Sequence, residues 1–72
     1  MGNPIYGIWC DSPIDSNWWR RGDGEIFRTD NYYVAQAQLH AIGKTQEIYL
    51  GDKKYGALIR SIRRIDEWAA QQ

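Results

Sequence analysis

The sequence predicts a small α+β domain: an antiparallel sheet of three to four strands carrying two helices, in the order β-β-β-α-β-α. Three observations predict it. Short runs rich in strand formers, cut by turn residues, fill the first third of the chain. Apolar residues recur at helical spacing between Tyr32 and Ile42, and again from Tyr55 onward.

The elements follow in order. Residues 5–9 join Ile5, Tyr6, Ile8 and Trp9 behind Pro4, where a missing donor does little harm. Residues 11–17 read as a polar loop with turn residues throughout. Trp18, Trp19, Arg20 and Arg21 resume an extended run. Gly22, Asp23 and Gly24 then offer two residues tolerant of positive φ around an Asp, which predicts a hairpin turn. Residues 25–28 are the returning strand. Thr29 and Asp30 supply an N-cap. Tyr32, Ala35, Leu39 and Ile42 lie at i, i+3, i+7 and i+10, one stripe of a helix that Gly43 ends. Tyr33, Gln36 and His40 fall off the stripe. Residues 47–50 form a short strand, with Gly51 and Asp52 marking its end. Tyr55, Leu58, Ile62, Ile65 and Ala69 then share one helical face, and Arg60, Arg63, Arg64 and Glu67 the opposite one. Read as a strand, neither face is clean, so the helical period predicts a helix over 55–68.

Seventy-two residues make one domain, spanning 1–72. A chain this short buries only about 60% of the surface its unfolded form exposes. Domains of this size usually add a disulfide, a metal or a second subunit. Cys10 is the lone cysteine, so no intrachain disulfide forms and a reducing compartment is favoured. A structural zinc would need Cys10 and His40, which stand in no recognised spacing, so neither metal nor cofactor is expected. Dimerisation is the remaining staple, and an aromatic surface would suit a homodimer, though the sequence does not fix the oligomeric state. Residues 1–4 lack the basic and apolar regions of a signal peptide, and no run nears the ~18 apolar residues of a membrane span. The expectation is a cytoplasmic protein.

Nine basic and nine acidic residues cancel, which removes both a strongly basic nucleic-acid footprint and the acidity of a DNA mimic. Catalysis finds little support. Cys10 and His40 lie thirty residues apart with nothing to orient them. Asp11, Asp15, Asp23, Glu25 and Asp30 are explained by loops, a turn and a cap. Gly22, Asp23 and Gly24 lack the length and the Lys of a phosphate loop. No catalytic residue is assigned, and the protein is expected not to be an enzyme.

Aromatic content is the positive signal: four Trp, five Tyr and one Phe. Trp and Tyr pair a large apolar body with a polar atom that needs a partner, and so few residues cannot bury nine such rings. Exposed Trp, Tyr and Arg are what binding surfaces use. On a strand, Trp18 and Arg20 face one way and Trp19 and Arg21 the other, so one Trp is expected in the core and one outside. Trp18, Trp19, Arg20, Arg21 and Tyr33 are the candidate partner-binding residues. The alternative is a nucleic-acid binder using Lys53, Lys54, Arg60, Arg63 and Arg64 along one face of the second helix, with strong salt dependence.

Residues 47–52 leading into 55–59 are similar to the strand-to-helix step of ribbon-helix-helix repressors, but that family's second helix has no counterpart here, and the resemblance is not adopted. The run from Trp18 through Gly22, Asp23 and Gly24 to Thr29, followed by the Ala35-to-Leu39 helix, looks like small phage-encoded accessory proteins, anti-CRISPR-type inhibitors among them. That resemblance implies a single α+β domain that binds a larger complex without catalysis. It transfers no functional residue. The expected function is a non-enzymatic protein-binding module, an inhibitor of a host complex from a phage or mobile element.

Overall fold

The computed structural model describes residues 3–66. Its elements are β1 (Tyr6–Asp11), β2 (Ser16–Trp18), α1 (Tyr32–Ile42), β3 (Thr45–Leu50) and β4 (Lys53–Arg64). The strands make one antiparallel sheet in the order β2-β1-β4-β3. Among the described residues the architecture is mostly strand, with α1 as the one named helix. This corrects the expected two helices and the β-β-β-α-β-α order.

The second helix fails because residues 53–64 are the long central strand. Of residues 55–66 only Ile65 and Asp66 are helical, and Glu67 and Ala69 of the expected helical face lie outside the described residues. The cause is tertiary pairing. Gly51 takes φ 68° and turns the chain back with Asp52, so β4 leaves the turn already paired to β3. Gly-Asp between two strand-forming runs is a two-residue hairpin signal in its own right. Farther on, Ile62 pairs with Ile8 of β1. The helical spacing of Leu58, Ile62 and Ile65 is real but loses to two ladders of backbone hydrogen bonds. The mixed composition of β4 has a physical origin too. Its first half pairs with β3 in a projecting arm, and described elements cover its second half on one side only. Neither half demands strict alternation.

The third expected strand, 25–28, is also absent as a regular element. Arg20 and Ile26 make an isolated bridge, Arg21 N–H donates to Glu25 C=O at 2.8 Å, and Phe27 N–H to Trp19 C=O at 3.2 Å. Residues 19–29 are thus a short hairpin excursion around the Gly24 turn (φ 87°), closed where Thr29 bridges Tyr6 beside β1. Regular pairing of β1 with β2 covers only Ser16–Trp18.

The α1 helix starts one residue later than expected. Asn31, rather than Thr29 or Asp30, is the N-cap, its Oδ1 accepting from Tyr33 N–H at 2.9 Å. Gly43 ends it at φ 90°, donating its N–H to Leu39 C=O. Ala35 and Leu39 are buried and pack with Ile8 and Phe27, while Tyr6, Trp19, Ile42 and Ile62 close the rim of this core. Tyr32 sits at the helix edge, 44% exposed, its ring edge-on to Tyr6 with centroids 5.4 Å apart. The sheet therefore has a helix-covered face, carrying Tyr6, Ile8 and Ile62, and an opposite face that no described element covers.

Candidate functional site: the uncovered face of the sheet

Strand register sets out the uncovered face row by row. Trp18, Trp9 and Ser61 are cross-strand neighbours over three strands. One row along, Ser16, Asp11, Ile59 and Thr45 span all four. On the other side Gly7 pairs with Arg63. The Trp9 and Trp18 rings meet edge-to-face with centroids 5.1 Å apart, and the Arg63 guanidinium lies 5.9 Å from the Trp9 ring centroid. Such a cation–π contact contributes about 0.5–1 kcal/mol at an exposed site.

Gly7 eases this packing. A Cβ there would stand 3.0 Å from the Trp18 six-membered ring, tighter than an ordinary contact, so a side chain at this position would push the indole off β1 by a few tenths of an ångström. Ser16 Oγ donates to Asp11 Oδ1 at 2.6 Å and ties down the end of the next row. Ile59 is 56% exposed between Asp11 and Thr45. Together these side chains give an apolar centre of indoles and isoleucine beside one guanidinium and one carboxylate.

The expected partner-binding residues do not form one patch. Trp18 lies on the uncovered face, whereas Trp19 packs against Phe27 at the core, centroids 5.8 Å apart. Arg20 is exposed on the 19–29 hairpin, its Nη1 donating to Gly24 C=O at 2.9 Å. Arg21 pairs with Asp23 at 3.2 Å in the same turn. Tyr33 is 78% exposed in the first turn of α1. Sequence reasoning missed Ile59, Ser61 and Arg63 as neighbours of the Trp pair because it placed them on a helix. An alternation test against a hairpin at Gly51 and Asp52 would have put all three on one strand face.

The basic residues of the alternative reading are also dispersed, since on a strand they alternate sides. Lys54 reaches Glu47 at 3.4 Å. Arg64 pairs with Asp66 at 2.7 Å. Arg63 covers Trp9, and Lys53 is exposed beside the arm's turn. Arg60 faces the helix side. Its Nη1 donates to Gly43 C=O at 3.1 Å and Ile42 C=O at 3.4 Å, and its Nη2 to Gln46 Oε1 at 2.8 Å. The continuous basic face expected of a helix is not there.

Cys10 and His40 line different grooves. Cys10 borders an open groove of about 470 Å³ with Leu58, Trp19 and Arg60. His40 borders one of about 300 Å³ along α1 with Gln36 and Lys44. Burial pushes the Cys10 thiol up, and the nearby Arg60 charge and hydrogen bond offset this only in part. Cys10 is therefore a protonated thiol at neutral pH, the unreactive form. The expected outcome is slower alkylation of Cys10 by iodoacetamide in the folded protein than in urea at the same pH. Equal rates would contradict the burial.

Two carboxylates carry lowered pKa values. Glu47 accepts from the Tyr49 hydroxyl at 2.5 Å and from Lys54, and Asp66 accepts from Arg64 and from Ile5 N–H. The same bond to Glu47 raises the Tyr49 pKa. Groups with depressed pKa values favour the fold above their unfolded pKa and lose that contribution as pH falls through the folded one. All three groups are solvent-exposed and serve local geometry.

Among the described residues no group of three His, Cys, Asp or Glu side chains is placed to hold a metal ion, and no helix is long and apolar enough to cross a membrane. Comparison with protein-family models, curated proteins and solved structures finds no match to this chain.

Proposed function

We propose that this chain is a non-enzymatic protein-binding module that receives its partner on the sheet face that no described element covers, through Trp18, Ile59 and Arg63. The observation that carries the reading is the composition of that face. A helix-covered antiparallel sheet normally presents polar side chains on its far side. Here that side presents two indoles in edge contact, a guanidinium over one of them and an exposed isoleucine. Aromatic anchors with Arg, ringed by polar groups such as Ser61, Asp11 and Ser16, are the composition of protein interface centres. The nucleic-acid alternative rests on a basic stripe, and the dispersal of Lys53, Lys54, Arg60, Arg63 and Arg64 along β4 supports the protein-binding reading over it. Inhibition of a host complex is a narrower form of the same reading and adds a requirement that the captured partner lose activity.

Capture from nuclease-treated lysate tests the proposal. Ile59→Asp and Arg63→Glu should each lose the partner that the wild-type chain retains. Arg63→Glu gives up the cation–π contact with Trp9, about 0.5–1 kcal/mol, and Ile59→Asp sets a second carboxylate opposite Asp11 at a similar cost. A urea melt should therefore show both variants folded, with unfolding free energy lower by about 1 kcal/mol. Gln36→Glu, on the exposed side of α1, should bind as wild type. Unchanged capture by both sheet variants, or release of the partner by nuclease, would overturn the assignment.

A further inference from the structure

The edge strand β3 lacks most of the features that normally protect a sheet edge. Sheet edges are normally protected by Pro, inward charges, bulges or short length, because unpaired N–H and C=O groups template further strands. β3 spans six residues, holds no Pro and carries one charge, Glu47. Its only irregularity is a register shift against β4 after Ile48. Five of its six residues are exposed, Tyr49 at 52% and Leu50 at 60%. It lies on the outer side of the β3–β4 arm in a molecule 49 Å long and 27 Å wide.

Backbone direction along β3 follows from one hydrogen bond. Arg60 N–H donates to Lys44 C=O at 2.7 Å, so Lys44, Gln46 and Ile48 turn their amides toward β4. Alternation then turns those of Thr45, Glu47 and Tyr49 outward. An antiparallel neighbour must match outward residues with outward residues, which leaves few registers for a second copy of the same strand.

We propose that two copies of this chain pair antiparallel along β3 around a two-fold axis at Ile48, joining their sheets into one. This register sets Ile48 against Ile48 of the second copy, Glu47 against Tyr49, and Lys44 against Asp52. Glu47 already accepts from a Tyr49 hydroxyl within one chain, so the cross-strand pair repeats a contact the chain makes. Lys44 and Asp52 are exposed, and neither joins an ion pair among the described residues. Pairing supplies each with an opposite charge. Centring the axis on Glu47 instead would place two carboxylates face to face, which is destabilising. Gln46, Ile48 and Leu50 alternate onto one side, so the same register buries Ile48 and Leu50 from both copies in one apolar strip. Antiparallel pairing sends the two chains in opposite directions, which directs their helix-bearing bodies toward opposite ends of the joined sheet. The interface does not depend on the uncovered face, which stays accessible for a different partner.

Sedimentation of the wild-type chain from about 10 μM to about 1 mM should show reversible dimerisation, as expected of a short edge interface. In a Cys10→Ser background, Ile48→Cys should oxidise to a covalent dimer, because facing residues of a non-hydrogen-bonded pair approach to about 4.5 Å between Cα atoms. Gln46→Cys, four residues off register from its own copy, should not crosslink. Glu47→Pro, which removes an outward donor, should be monomeric, and Glu47→Gln should still dimerise. A wild-type monomer throughout the range would overturn the proposal. So would crosslinking through Gln46→Cys in preference to Ile48→Cys.

Discussion

Ile8→Ala is expected to leave most of the chain unfolded at ambient temperature. Ile8 has no exposed surface and is the one large side chain fully buried among the described residues. It sits mid-strand in β1, pairs with Ile62 of β4, and its carbonyl accepts from Trp19 N–H at 2.7 Å. Ala35 and Leu39 descend on it from α1, and Phe27 from the 19–29 hairpin. Every part of the body therefore meets at this residue. Truncating a buried aliphatic side chain to alanine costs about 2–5 kcal/mol, toward the upper end where the surroundings cannot collapse. β1 and β4 are fixed by their ladder, so collapse is restricted here. A single core in a domain this small supplies only about 3–5 kcal/mol of net stability. The two ranges overlap, so the substitution consumes most of the margin. Ile8→Val should cost about 1 kcal/mol and leave a folded protein with a lower urea midpoint. The measurement is a urea melt followed by tryptophan fluorescence and near-ultraviolet circular dichroism. A loss below about 1 kcal/mol for the alanine variant would mean that the core centres elsewhere.

Legibility in the sequence tracked how local each interaction is. The α1 stripe was readable because Ala35, Leu39 and Ile42 repeat at the helical period and Gly43 stops it, all within a dozen residues. The turn at Gly22, Asp23 and Gly24 was readable for the same reason. Its flanking strands were not, because residues 19–29 hold together through isolated bridges and single hydrogen bonds that no propensity encodes. β4 was misread because its partners are remote or on the far side of a turn. Ile62 answers to Ile8, 54 positions away, and the helical period of Leu58, Ile62 and Ile65 outweighed its one local competitor, the hairpin signal at Gly51 and Asp52. That error moved the candidate site. With 55–68 as a helix, Ile59 and Arg63 had no relation to Trp9. With β4 as a strand, they share a face with it. Opposed faces for Trp18 and Trp19 followed from the strand period alone, but the glycine that seats Trp18 is visible only once Gly7 and Trp18 are brought together.

Arg60→Met separates a structural arginine from a phosphate-binding one. Methionine keeps an unbranched apolar stem and removes the guanidinium. The Arg60 donors satisfy the carbonyls of Ile42 and Gly43 at the end of α1, and Gln46 Oε1 at the start of β3. A half-buried cation there also meets the negative end of the helix dipole, worth about 0.3–1 kcal/mol and up to ~2 kcal/mol in buried geometry. Hydrogen bonds from a charged donor add about 1.5–3 kcal/mol in net terms. Against this, Arg60 Nε is buried with no hydrogen-bond acceptor, a penalty the substitution removes. The balance should be a loss of about 2 kcal/mol with weakened helical circular dichroism. Arg60→Lys restores the charge but not the fork, since an ammonium cannot reach the helix end and Gln46 in the same geometry. It should recover less than half of the loss. The Cys10 thiol supplies a local readout. Arg60 is the cation that holds its pKa back, so that charge vanishes in the Met variant and alkylation should slow further at a fixed alkaline pH. A phosphate-contacting arginine predicts the reverse set: unchanged stability, an unchanged thiol and a shallower salt dependence of nucleic-acid binding. The two roles make opposite demands on the same side chain, because a guanidinium spent on a helix terminus and a neighbouring amide has no free fork to offer a phosphate.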